Sequence, residues 1–134
     1  MKKLCPALLA LCAACQTDET LTAYGAADVT WHLTSLQGAA FSAKASLRFL
    51  PDGRVKGHAP CNGFSATQSA PYPWFSLSAI VSTKRACNDL TAEQRFFAAL
   101  NDMTLAEVLG DTLILSNEDG QDMVFRKSMT PNDG

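Results

Sequence analysis

Apolar residues along the chain fall into distinct patterns, and each predicts a different kind of segment. Val29, Trp31 and Leu33 alternate with Thr30, His32 and Thr34, the period of two expected of a strand with one buried face. Ala45, Leu47 and Phe49 repeat the alternation against Ser46 and Arg48. Pro51-Asp52-Gly53 then turns the chain, so that Arg54 to Gly57 return as the partner strand of a hairpin. Residues 65–73, rich in Ser, Ala and Pro, read as a loop, after which Phe75, Leu77 and Ala79 begin a strand that reaches Ser82. Thr91 and Gln94 form a capping box. Behind it Phe96, Phe97, Leu100 and Met103 recur at three- and four-residue steps, which predicts one helix over about residues 91–103. Leu105 to Leu109, Thr112 to Ser116 and Gln121 to Arg126 read as strands, the last two joined by a turn at Asn117 to Gly120. Many short strands around one helix predict a mainly β domain, a small antiparallel barrel-like fold or a sandwich, over residues 29–127.

A different pattern opens the chain. Lys2 and Lys3 precede an unbroken apolar run from Leu4 to Ala14, which reads as the positive and hydrophobic regions of an export signal. At 11 residues the run is too short to span a bilayer, which takes about 20. It ends in Leu11-Cys12-Ala13-Ala14-Cys15, similar to a bacterial lipobox, although Cys12 stands where Leu is usual. The expectation is a signal peptide over residues 1–14, lipidation of Cys15, and a flexible tether over 15–28. Two or three acyl chains, each methylene contributing about 0.8 kcal/mol, would hold such a protein on a membrane. Gln16 after the cysteine, in place of Asp, favours the outer membrane of the envelope over the inner one. Residues 128–134 read as a disordered tail.

Charge and cysteine usage narrow the picture further. Loss of Lys2 and Lys3 with the signal leaves 9 basic against 13 acidic residues. That balance argues against nucleic acid, whose phosphates call for a basic face. Of the five cysteines, two leave with the signal and Cys15 takes lipid, so Cys61 and Cys87 remain. In an oxidising envelope such a pair is expected to form a disulfide, with two free core thiols as the alternative.

Read in order, Trp31-x-Leu33, Leu47-x-Phe49, Asp52-Gly53-Arg54-Val55-x-Gly57, Cys61-Asn62-x-Phe64, Ser82-Thr83-x-x-Ala86-Cys87, Glu93-x-x-Phe96 with Leu100, and Gly110-Asp111-x-Leu113-x-Leu115 resemble the META domain, or HslJ-like, family. The resemblance implies an all-β barrel-like domain with one helix, frequent in envelope lipoproteins and linked in some members to heat-shock or antibiotic tolerance. It brings no catalytic activity and no cofactor. Two positions depart from the pattern: Pro60 replaces a Gly, and Arg85 a Met.

The remaining candidates for chemistry are few. His58-x-x-Cys61 with Cys87 and His32 contains metal-ligand types, but the spacing is poor and a disulfide would consume both thiols. No nucleophile-base pair, phosphate loop or zinc motif is readable. Asp52, Asp111 and Asp119 fall at turns, and Glu93 in the first helical turn suits the dipole. Asn62 reads as a residue that bonds its own neighbouring backbone or adopts a left-handed conformation, and Thr83 as a local cap. Tyr72, Trp74 and Phe75 could edge a groove for a protein or lipid partner, or close the end of the core. The expectation is a non-enzymatic binding or scaffolding protein of the envelope, with a barrel carrying a small apolar ligand as the alternative and an enzyme third.

Overall fold

The computed structural model describes residues 18–128, so the expected signal peptide, Cys15 and all of the expected tail except Ser128 lie outside them; Ser128 itself ends the last strand and pairs with Thr30. Nine strands form one antiparallel sheet: β1 Thr30–Leu36, β2 Ala39–Ala40, β3 Ser46–Phe49, β4 Arg54–His58, β5 Gly63–Gln68, β6 Leu77–Ser82, β7 Leu105–Leu109, β8 Thr112–Ser116 and β9 Asp122–Ser128. The order across the sheet is β6-β5-β4-β3-β1-β9-β8-β7, with β2 paired to β1. The sheet curls into a half-barrel around one helix, α1, Leu90–Asp102. Residues 73–75 reach across to the far edge: Phe75 N donates to Thr104 O at 2.9 Å and Ala106 N to Pro73 O at 2.7 Å.

Alternation drives this architecture as expected. Trp31, Leu47, Phe49, Val55, Phe64, Leu113, Leu115, Met123 and Phe125 face inward and are buried, and α1 turns Phe96, Ala99 and Leu100 toward them. Phe64 on β5 meets Phe96 and Phe97 with ring centroids 5.8 and 5.2 Å apart. The interior between sheet and helix is therefore filled by aromatic and branched side chains, each contributing roughly 1.5–3 kcal/mol by leaving water. Between β3 and β4 the chain turns at Asp52 and Gly53, both with positive φ. A Cβ on Gly53 would lie 2.6 Å from the Gln68 carbonyl oxygen, so the turn admits only glycine there.

Three local expectations change. Residues 63–68 form β5, paired on both sides with β4 and β6, instead of the start of a loop. Their alternation is real but muted, because its inward positions are Phe64, a small Ala66 and Gln68. Gln68 is buried because its amide bonds the backbone of Ala70 and Ser76. The capping box does not form: Asp89 is the N-cap residue and no side chain caps the helix. The segment read as a tether is folded from its middle on. Leu21 and Ala26 are core residues, and Trp31 Nε1 donates to Ala26 O at 3.0 Å, so the packed unit begins ahead of Val29.

Candidate functional site

Cys61 and Cys87 are joined by a disulfide with their Cα atoms 5.6 Å apart. Both thiols are thereby removed from any metal site, and among the described residues no three His, Cys, Asp or Glu gather as a metal would need. Beside the disulfide lies a buried polar clamp. Asn62 Oδ1 accepts from Thr83 Oγ1 at 2.9 Å and from Arg85 N at 2.6 Å. Its Nδ2 donates to Arg85 O at 3.0 Å and to Glu93 Oε2 at 2.7 Å. The other carboxylate oxygen, Glu93 Oε1, accepts from Cys61 N at 3.0 Å. Asn62 thus holds a distant segment, not its own neighbours, and Glu93, in the first turn of the helix as expected, also faces inward to receive it. Arg85 takes part through its backbone alone, which is why the side chain at that position can differ from the family's Met. All of these groups satisfy one another, so the clamp offers structure and no reactive atom.

The outer face of β1, β3 and β4 is chemically different. Register places His32 opposite Ser46 and Ser46 opposite His58, in one row across three strands. Arg48 and Lys56 pair in the next outward-facing row. A cavity of about 610 Å³ is lined by His32, Leu33, Lys44, Ser46 and His58 among others. A second, of about 440 Å³, shares Ser46 and His58 and continues to Arg48, Lys56 and Gly63. Together they make a shallow basic cleft of small-molecule size. His32 stands on the solvent side of its strand, opposite in phase to Trp31, as its alternation predicts.

Windowing the charges would have exposed this cleft in the sequence. Between Val29 and Asn88 there are six Lys or Arg and one acid, Asp52, whereas residues 89–128 hold eight acids against three bases. The basic residues are segregated along the chain; the overall net charge conceals it.

Of the three aromatics expected to edge a groove, the structure separates two from the third. Trp74 is 54% exposed, and Tyr72 is half-buried against Tyr24, their rings stacked with centroids 4.6 Å apart. Phe75 is 2% exposed and is a core side chain, because the pairing of residues 73–75 with 104–106 turns it inward.

A family model for the META domain matches residues 20–130. The chain belongs to the META domain family. Its matched span starts where the packing of Leu21 starts, nine residues ahead of Val29. Solved structures share the META fold at low identity. The NMR structure of a protein from Burkholderia xenovorans is 17% identical, with a TM-score of 0.65 over 81% of this chain and 88% of that one. The crystal structure of a DUF4847 family protein from Bacteroides vulgatus is 15% identical, with a TM-score of 0.63 over 82% of this chain and 98% of that one. A search of curated proteins returns no match to the sequence. These likenesses establish the fold of the META domain and carry no sign of catalysis.

Proposed function

We propose that this META domain protein is a lipid-anchored envelope protein, held through Cys15, that works by binding an anionic partner and not by catalysis. The observation that carries the reading is the cleft over β1, β3 and β4, strands that bear no acid, where a cavity lined by His32 and Lys44 and one lined by Arg48 and Lys56 share Ser46 and His58. Such a surface concentrates negative charge at its floor, and Ser46 with the imidazoles supplies directional hydrogen bonds to phosphate or carboxylate oxygens. The site has the parts for recognition. It lacks a nucleophile with a partnered base, which acyl or phosphoryl transfer would need. An apolar cargo has less support, since the space it would occupy is filled by Trp31, Phe49, Phe64 and Phe96. The lipobox-like Cys15 and the following Gln16 support placement at the outer membrane.

Titration with pyrophosphate at constant ionic strength, followed by NMR of the His32 and His58 ring protons, tests the reading. Saturable shifts that vanish in the Arg48→Glu, Lys56→Glu double variant are expected. Shifts no larger than those produced by chloride would sink it.

A further inference from the structure

Large apolar side chains are exposed beside β7, the strand at one end of the sheet. Tyr24 and Trp74 are each 54% exposed and Leu109 is 55% exposed. They belong to one continuous strip. Tyr24 closes the 3-10 turn Leu21–Tyr24 and stacks on Tyr72, their planes 10° apart. The Tyr72 hydroxyl accepts from Val108 N at 3.2 Å, beside Leu109. Trp74, two residues on, bridges to Leu105 at the start of β7. The outer edge of β7 is therefore covered by a segment that turns its own aromatic rings to solvent.

We infer that this strip is a membrane-docking surface, with Tyr24, Tyr72, Trp74 and Leu109 seated in the headgroup region of the bilayer that holds the lipidated Cys15. The inference rests on the anchor reading above, and the length of chain beyond the described residues gives it force. Tyr72 N donates to Glu19 O at 2.7 Å, so the backbone at residue 19 is fixed to the aromatic segment. Cys15 lies four residues upstream of Glu19. Even fully extended, four residues reach only about 14 Å. A lipid on Cys15 cannot place the bilayer farther than that from the Tyr72 backbone. The interfacial layer is itself several Å deep, so covalent geometry keeps the stacked tyrosines within reach of the headgroups.

The chemistry of the strip suits that position. Tyr and Trp pair an apolar ring with a polar atom and concentrate at membrane interfaces for that reason. No Lys or Arg occurs in residues 18–28, 69–76 or 105–111, the segments that build the strip. The same segments hold five acids, Asp18, Glu19, Asp28, Glu107 and Asp111, so docking is driven by ring burial and not by attraction to anionic headgroups, and on zwitterionic lipid it does not weaken in salt.

The test uses the mature protein purified with its acyl chains and reconstituted into phosphatidylethanolamine-phosphatidylcholine vesicles containing brominated acyl chains. Trp74 is the exposed tryptophan and Trp31 the buried one, so quenching reports the strip directly. We expect bromolipid to remove at least about half of the Trp74 emission, since interfacial groups sink to the acyl boundary. The loss should persist in high salt and be absent in Trp74→Phe, where only Trp31 emits. Tyr24→Ser with Leu109→Ser, both at exposed positions, should reduce it while circular dichroism remains native. Acylated protein that stays on the vesicles with Trp74 unquenched overturns docking and leaves the anchor standing. An unmodified Cys15 thiol overturns both. A strip protected without vesicles, in a dimer that Trp74→Ser dissociates, assigns it to a second copy and overturns docking.

Discussion

Replacing Asn62 by Ala removes the centre of the clamp that ties the start of β5 to the segment before α1. Four hydrogen bonds are lost at a side chain that is 6% exposed. Three join neutral partners, each contributing about 1 kcal/mol net, and the one to Glu93 is charge-assisted and contributes about 1.5–3 kcal/mol. The same loss can be counted from the charge left behind. Glu93 is 5% exposed, and without Asn62 its carboxylate keeps the hydrogen bond from the Cys61 N–H. Leaving a buried charge under-compensated typically costs about 3–5 kcal/mol, comparable to the sum of the bonds lost, and we expect Asn62→Ala to cost about 3–6 kcal/mol. Such a loss is a large share of the roughly 5–15 kcal/mol that holds a domain folded. Urea unfolding followed by circular dichroism, with the disulfide intact, measures it. The reasoning also fixes a coupling. Asn62→Ala combined with Glu93→Ala should cost less than the sum of the single changes by about 1–3 kcal/mol, because the second substitution removes the stranded charge. A loss below about 1 kcal/mol for Asn62→Ala, or strict additivity in the pair, would refute an energetically coupled clamp.

Further changes separate the roles of particular residues. The disulfide closes a sequence separation of 26 residues, so Cys61→Ser with Cys87→Ser should lower stability by about 3.5 kcal/mol in the chain-entropy model, read as a shift of the urea midpoint. Gly57→Ala should cost more than about 2 kcal/mol. A methyl there would collide with the Ser46 carbonyl and lie 2.5 Å from Phe64 Cζ, and thermal unfolding would show the loss. Phe75→Ala should cost about 3–5 kcal/mol and Trp74→Ala about 1 kcal/mol or less, although the two aromatics are adjacent, because one fills the core and the other faces solvent. Equal losses at the two positions would contradict the placement of the 73–75 bridge.

Period and punctuation carried most of the fold. The strand alternations at 30–36, 46–49, 54–58 and 112–116, the helical stripe through Phe96 and Leu100, and the turns at 51–53 and 117–120 are local signals, and burial of one face requires them. A strand such as β5 escaped this reading because its inward positions include an alanine and a glutamine, whose burial depends on what surrounds them and not on their own hydrophobicity. The same reason hid the clamp. Asn62, Thr83, Arg85 and Glu93 are separated by up to 31 positions, and nothing in their spacing says that two loops will meet.

The sequence by itself determined the mainly β class, the helix over 90–102, the inward faces of β1 and β3 and the pairing of Cys61 with Cys87 once export is assumed; Ala79, read as inward, is exposed. It also held the segregation of charge between the two halves of the domain, since that is a property of order along the chain. Only the tertiary structure decided that His32, Ser46 and His58 share a row, that Phe75 is core while Trp74 is surface, and that Tyr24 stacks on Tyr72 beside the N-terminal segment. Those outcomes depend on strand register and on how a curled sheet closes on itself, and both are set by long-range packing that no local pattern encodes.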